Sequence, residues 1–163
     1  MPSFDIVSKI DLQKIDNAIN TAKKELLNRY DLKDEQCAID IDKKAKLIKL
    51  EAKQDMAMQT LIDIILGKLS KQDIDVRTID LSAESRPSGK IVLKDLKIKE
   101  GIEKEIAKKI VAHIKANFNK LQGAIHEDQV RVTGKKIDDL QELIANLRMK
   151  DFEVPLQFEN FRS

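Results

Sequence analysis

Two lysines stand directly after a glycine, where an alternating strand gives way to an amphipathic helix, and together these are the elements of an anion site. Residues 130–143 read VRVTGKKIDDLQEL. The first turn of a helix has backbone N–H groups without partners inside the helix, and its dipole favours negative charge there. Gly134 would let a phosphate approach the backbone, and Lys135 and Lys136 would add charge. The spacing is not that of a Walker loop. A glycine at such a corner also permits a positive φ. Asp138 and Asp139, in the same first turn, complement the dipole and oppose a phosphate. Phosphate cradle and tight corner both remain open on these residues.

Three further groups of cations compete with this one. Ser88-Gly89-Lys90, preceded by Arg86, closes a Ser- and Pro-containing stretch, SAESRPSG (82–89), that reads as a linker. Its cations could close on a ligand held between two domains, or simply be solvated. Lys104, Lys108 and Lys115 fall at steps of four and seven along one helix, opposite its isoleucines, where charge commonly serves solubility. His126 and Arg131 lie on one face of a hairpin and could hold a phosphate or a guanine edge, or be an ordinary surface pair. Residues 1–88 hold 15 basic and 16 acidic side chains and residues 89–163 hold 15 and 12, so an anion-binding surface belongs to the second half.

Catalytic and metal chemistry find little support. The carboxylates are scattered, the two histidines (His113 and His126) are far apart, and a single Cys37 completes no Cys/His grouping. No Ser/His/Asp set or Gly-rich dinucleotide loop appears. The expectation is a non-enzyme with no metal and no cofactor. His113, between Val111 and Ile114, reads as packing, and Cys37 as a small buried hydrophobe.

The elements that carry these residues follow from periodicity. SFDIVSK (3–9) alternates as a strand, and Asp11 can cap a helix through Leu12, Ile15, Ile19, Ala22 and Leu26. QCAIDID (36–42) and KLIKLEAK (46–53) form a hairpin, and a helix over 55–70 follows. After the linker come a strand over 90–99, a helix over 101–117, a hairpin from 121–127 and 129–133 turning near Glu127-Asp128, a helix to about 149, and a strand over 155–161. Laying Ile48 on Val130, a shift of 82, places IKLEAK on VRVTGK, an internal duplication of pattern. Each half has one helical side to bury on one sheet face, which predicts an α+β fold of two ferredoxin-like two-layer sandwiches with antiparallel sheets. In strand 90–99 the apolar parity switches near Lys94-Asp95, which predicts a bulge or a strand shared between two sheets.

The composition agrees. With 163 residues, 42% hydrophobic, 36% charged, 4% aromatic and no Trp, the chain suits one domain or two thin, well-solvated ones. A net charge of +2 excludes a global polycation, and the single Cys excludes an intramolecular disulfide. With no apolar stretch near 18 residues, the chain is expected to be soluble and cytoplasmic.

The combination MPSFDIVSKIDLQ at the start, LKIKEGIEKE at 96–105, VRVTGKKIDDLQ at 130–141 and LQFENFR at 156–162 resembles the YajQ family of small bacterial proteins. The resemblance implies tandem ferredoxin-like, RNA-recognition-like domains, residues 1–88 and 89–163. Their N-terminal strands would be exchanged, 3–9 joining the second sheet and 90–99 the first. It also implies binding of RNA or a GTP-like nucleotide, with some members resembling cyclic-di-GMP receptors. Ser88-Gly89-Lys90 resembles a family Ser-Gly-Lys at the same place, and no catalytic motif is carried over.

RNA-recognition domains stack bases on aromatics of their central strands. The outward residues here, Lys49, Glu51, Lys53, Ala124, His126, Arg131 and Thr133, include none. Such stacking would contribute about 1–3 kcal/mol per base, so recognition must rest on phosphates. The expected ligand-binding residues are Arg131, Lys135, Lys136, Gly134 and His126, helped by Arg86, Ser88, Gly89 and Lys90. Phe161, beside Arg162, is the one stacking candidate, against core or edge packing. The competing reading is a protein-interaction or regulatory adaptor, or a cyclic dinucleotide receptor, using open sheets or edge strands, as a monomer or homodimer.

Overall fold

The computed structural model describes residues 1–163. In chain order the strands and helices are β1 (Ser3–Val7), α1 (Leu12–Asn28), β2 (Ala38–Asp42), β3 (Leu47–Ala52), α2 (Asp55–Lys71), β4 (Ile79–Asp80), β5 (Arg86–Ser88), β6 (Ile91–Ile98), α3 (Lys104–Asn117), β7 (Gln122–His126), β8 (Gln129–Thr133), α4 (Ile137–Arg148) and β9 (Gln157–Arg162). The fold is α+β, with two antiparallel sheets and four helices. It divides into two compact units, Ile10–Lys99 and a second made of Met1–Lys9 with Glu100–Ser163.

In the unit Ile10–Lys99 the sheet order is β2-β3-β6-β4, with β5 also pairing with β6. Asp11 caps α1, its carboxylate accepting from the backbone N–H groups of Gln13 (3.1 Å) and Lys14 (3.2 Å). Ile15, Ile19, Leu61 and Ile65 of the two helices pack on Ile39, Ile48, Leu50 and Leu96 of the sheet. The parity switch expected in strand 90–99 has neither of its expected causes. Strand β6 pairs with β3 in unbroken register from Lys97 opposite Leu47 to Val92 opposite Ala52, and all its other partners lie in the same sheet. The backbone does not slip, so Ile91 and Leu93 stand on the face away from the helices. There β5 lies alongside them, with Arg86 opposite Leu93 and Ser88 opposite Ile91. The stretch read as a linker therefore contains a short strand, and Pro87 is tolerated because that strand is an edge.

In the second unit the order is β7-β8-β1-β9, so the first strand of the chain lies in the middle of its sheet. All five residues of β1 are buried. Phe4 and Ile6 point into a core shared with Ile106, Ile110 and Ile114 of α3, Val130 and Val132 of β8, and Leu140, Leu143 and Leu147 of α4. Burying two such side chains contributes about 1.5–3 kcal/mol each. Helix α3 begins at Lys104, later than periodicity predicts, because Gly101 takes φ +80° and the space over its Cα is filled by Asp128.

The opposite side of β1 carries Asp5, which is 4% exposed and needs partners. Arg131 on β8, directly opposite in register, donates from Nε at 2.9 Å and from Nη2 at 3.4 Å, and Asn160 on β9 donates from Nδ2 at 2.8 Å. The Arg131 hydrogen bond holds the Asp5 carboxyl below its usual range against the opposing effect of burial, and Asn160 adds to it. A depressed folded-state value means that the stabilisation is present above the unfolded-state pKa of about 3.9 and is lost as pH falls through the folded value. Stability should therefore fall in acid below about pH 4, and Asp5→Asn should flatten that limb in urea midpoints measured against pH. At pH 7 the same variant should lose about 1–3 kcal/mol, toward the lower end because Arg131 is partly exposed. Phe4→Ala should cost about 3–5 kcal/mol and reduce hydrogen-exchange protection in β8 and β9.

Candidate functional site

Gly134 is buried, and its N–H donates to the Pro2 carbonyl at 3.1 Å, so it is not on offer to a ligand. Its φ is not positive; only Gly89 and Gly101 among the glycines have that geometry. A Cβ at residue 134 would run into Leu121 Cδ2 and touch Leu140 Cδ2 at 3.5 Å. The glycine is thus required by close packing under the corner, a reason that neither sequence reading of it contained.

Lys135 and Lys136 emerge from this packed corner exposed, and neither pairs with a carboxylate. Lys136 is the N-cap of α4 and makes no side-chain cap, so the first-turn N–H groups have no side-chain acceptor there. Asp138 and Asp139 lie in that turn and weaken it as an anion site. Beside it a cleft of about 200 Å³ is lined by Ser3, Ile137, Leu140, Gln141, Phe161 and Arg162. Ligand pockets commonly measure about 300–1,000 Å³, so this one has room for a single ring or phosphoryl group. Phe161 is 58% exposed, and its ring stacks on Phe4 with centroids 5.8 Å apart and planes 26° from parallel. It rests on the core rather than joining it. Asn160, at φ +57°, turns the last strand just before Phe161, and the β1–β9 register shifts there. An asparagine inside an alternating strand, which tolerates this conformation, was the sequence signal available for that turn.

The other expected residues are dispersed. Arg131 is occupied by Asp5. His126 pairs with Gln129 and Arg131 with Ala124, so the two share a face as diagonal neighbours with no hydrogen bond between them. Arg86 forms an ion pair with Asp95 at 3.3 Å. Ser88, Gly89 and Lys90 are exposed, with Gly89 at φ +62° in the turn between β5 and β6, where the positive φ does call for glycine. Arg86, Ser88, Gly89 and Lys90 belong to the unit Ile10–Lys99, and His126, Arg131, Gly134, Lys135 and Lys136 to the other.

The two lone side chains have structural settings. His113 Nε2 lies 2.6 Å from Asn146 Oδ1, and its ring sits against Phe118 and Phe152. Cys37 is half-buried, and desolvation, then the charges of Glu35 and Asp31, push its thiol up, which keeps it protonated and a poor nucleophile. A larger cleft of about 420 Å³, including Leu26, Leu27, Tyr30, Lys33 and Cys37, has an 87%-exposed tyrosine. Its Arg29 is held by Asp31 and Glu25, so it offers an anion little. No helix is long and apolar enough to cross a membrane.

A family model described as "Nucleotide-binding protein YajQ-like" matches residues 2–162. A Cytophaga hutchinsonii protein named "Nucleotide-binding protein" is 50% identical over 162 residues, covering 99% of this chain and 100% of that protein. One of the same name from Oleidesulfovibrio alaskensis is 46% identical over 163 residues, with both chains covered completely. One from Pseudomonas fluorescens strain Pf0-1, also named as nucleotide-binding, is 49% identical over 162 residues, with 99% of each chain covered. A match over nearly every residue, with relatives near half identity, means that this chain belongs to the YajQ family.

Proposed function

We propose that this protein is a non-catalytic binder of nucleotide or RNA that grips phosphate with Lys135 and Lys136 at the start of α4 and seats one ring against Phe161. The names of the relatives support the ligand class. The observation that carries the location is the pair of unpaired, exposed lysines at an uncapped helix start, adjoining a small cleft with an exposed aromatic wall. With Arg131 committed to Asp5 and the Gly134 N–H to Pro2, these lysines are the expected cations left available at the corner. The Arg86–Lys90 segment is a secondary cationic group of its own unit.

The scaffold in this reading is a tandem of ferredoxin-like sandwiches with exchanged first strands. The placement of β1 between β8 and β9, and of β6 beside β3 and β4, supports it. A cleft of about 200 Å³ favours one mononucleotide, or one residue of an RNA strand, over both bases of a cyclic dinucleotide.

Two lysines neutralising two phosphates of a single strand give a log–log salt slope of about −1.4, or about a sevenfold loss of affinity between 50 and 200 mM salt. Calorimetric titration with GMP and with a short oligouridine should show a fall of this order for the polymer. The double variant Lys135→Ala/Lys136→Ala should weaken binding about tenfold and remove the slope, which flat wild-type titrations would contradict. Phe161→Ala should cost about 1–3 kcal/mol of binding, with circular dichroism checking that the fold is retained.

A further inference from the structure

Nucleotide binding leaves the lysine stripe of α3 unused, and its surroundings give it another task. At 100° per residue, Lys104, Lys108 and Lys115 fall within about 40° of one another, immediately beside Val111. Val111 faces β7: its Cγ2 would lie 3.5 Å from a Cβ at Gly123. His113, on the opposite flank of the helix, is held toward α4 by Asn146. The three exposed lysines therefore lie on the flank of α3 nearer the free edge of β7, and none is engaged with a carboxylate. Glu105 is on the solvent side of the helix, out of the stripe.

That edge is also the bare one. Strands at sheet edges are protected by charges, prolines, bulges or shortness, because their unpaired N–H and C=O groups otherwise invite another strand. Strand β2 carries Asp40 and Asp42, β4 has two residues, β5 contains Pro87, and β9 combines Glu159 and Arg162 with a register shift. Strand β7, Gln-Gly-Ala-Ile-His, has no carboxylate, lysine, arginine or proline, and pairs with β8 without a break. Ile125 on it is 36% exposed, and Val111 above it is half-buried.

We propose that the β7 edge is a docking surface for an extended, acidic segment of a partner polypeptide, which adds to the sheet as a fifth strand. Its carboxylates, on the helix side, would meet Lys104, Lys108 and Lys115. The dimensions agree. The eleven helical steps from Lys104 to Lys115 rise about 16 Å, and five strand residues span about 17 Å. Alternate strand residues lie about 6.8 Å apart, against about 6 Å from Lys104 to Lys108. A nucleic-acid strand would suit the lysines but would leave the row of backbone groups on β7 without partners, which favours the peptide.

The test uses the full chain and an eight-residue alternating Thr-Glu peptide, with hydrogen exchange and amide NMR shifts read at Gln122–His126. An edge this short buries little area, so binding is expected to need peptide at about 0.1–1 mM. Saturable binding should slow exchange in β7, and a Thr-Lys peptide should bind at least about tenfold more weakly. Lys108→Glu/Lys115→Glu, at exposed positions, should lower affinity by about the same factor. N-methylation of alternate residues of the Thr-Glu peptide should abolish binding in one frame and spare it in the other. Absence of binding, binding that leaves the β7 amides unmoved, equal binding in both methylated frames, or an oligouridine occupying the stripe in place of the peptide would each overturn the proposal. None of the peptide outcomes bears on Lys135 and Lys136, so failure of the docking proposal and failure of the nucleotide reading are told apart.

Discussion

A carboxylate in the middle of a sheet has to be answered from both sides, and much of the second unit is organised around that requirement. Asp5 sits on the central strand, Arg131 approaches it from β8 and Asn160 from β9. Side chains alternate along a strand, so a slip of one residue would turn Asp5 into the apolar core and Phe4 and Ile6 out of it. The cost of an unanswered buried carboxylate makes such slips unfavourable. The ion pair and the Asn160 hydrogen bond thus help to set the register of β1 against two strands whose partner residues lie 126 and 155 positions further along the chain. Lys9 reinforces this just beyond the strand, through reciprocal hydrogen bonds with Gln157 and an ion pair with Glu159 at 2.7 Å.

The same constraint shapes what the surface can bind. A guanidinium that holds a buried carboxylate is not free to meet a phosphate, so Arg131 belongs to the architecture. Gly134 likewise serves packing, through Leu121 and Leu140, and its N–H is tied to Pro2. What remains at the corner are side chains with no structural duty, Lys135 and Lys136. Their neighbours Asp138 and Asp139 moderate the field, so the site proposed there would bind modestly and salt-sensitively rather than as a tight phosphate cage.

Most elements were legible from the sequence because they rest on local physics. Asp11 caps α1, the isoleucine spacing of α1 and α3 makes amphipathic helices, and the alternation in 36–42 and 46–53 makes a hairpin. Where the reading failed, a neighbour decided the outcome. Ile91 and Leu93 stand on the face away from the helices with no bulge, beside β5, and β5 itself hides in a stretch whose Ser, Pro and Gly suggest a linker. Arg131 and Asp5 could not be matched in advance, since nothing within either strand reveals the other across 126 positions.

The sequence by itself determined the α+β class, the helices and hairpins and the family, because periodicity, caps and motifs are properties of neighbouring residues. Only the tertiary structure decided which cations are spent and which are free, what packs against residue 134, and which edge strand is left without charge, proline or register shift. Those outcomes depend on burial and on pairing between distant segments, where the energy of a charge or a methyl group is set by what folding brings beside it.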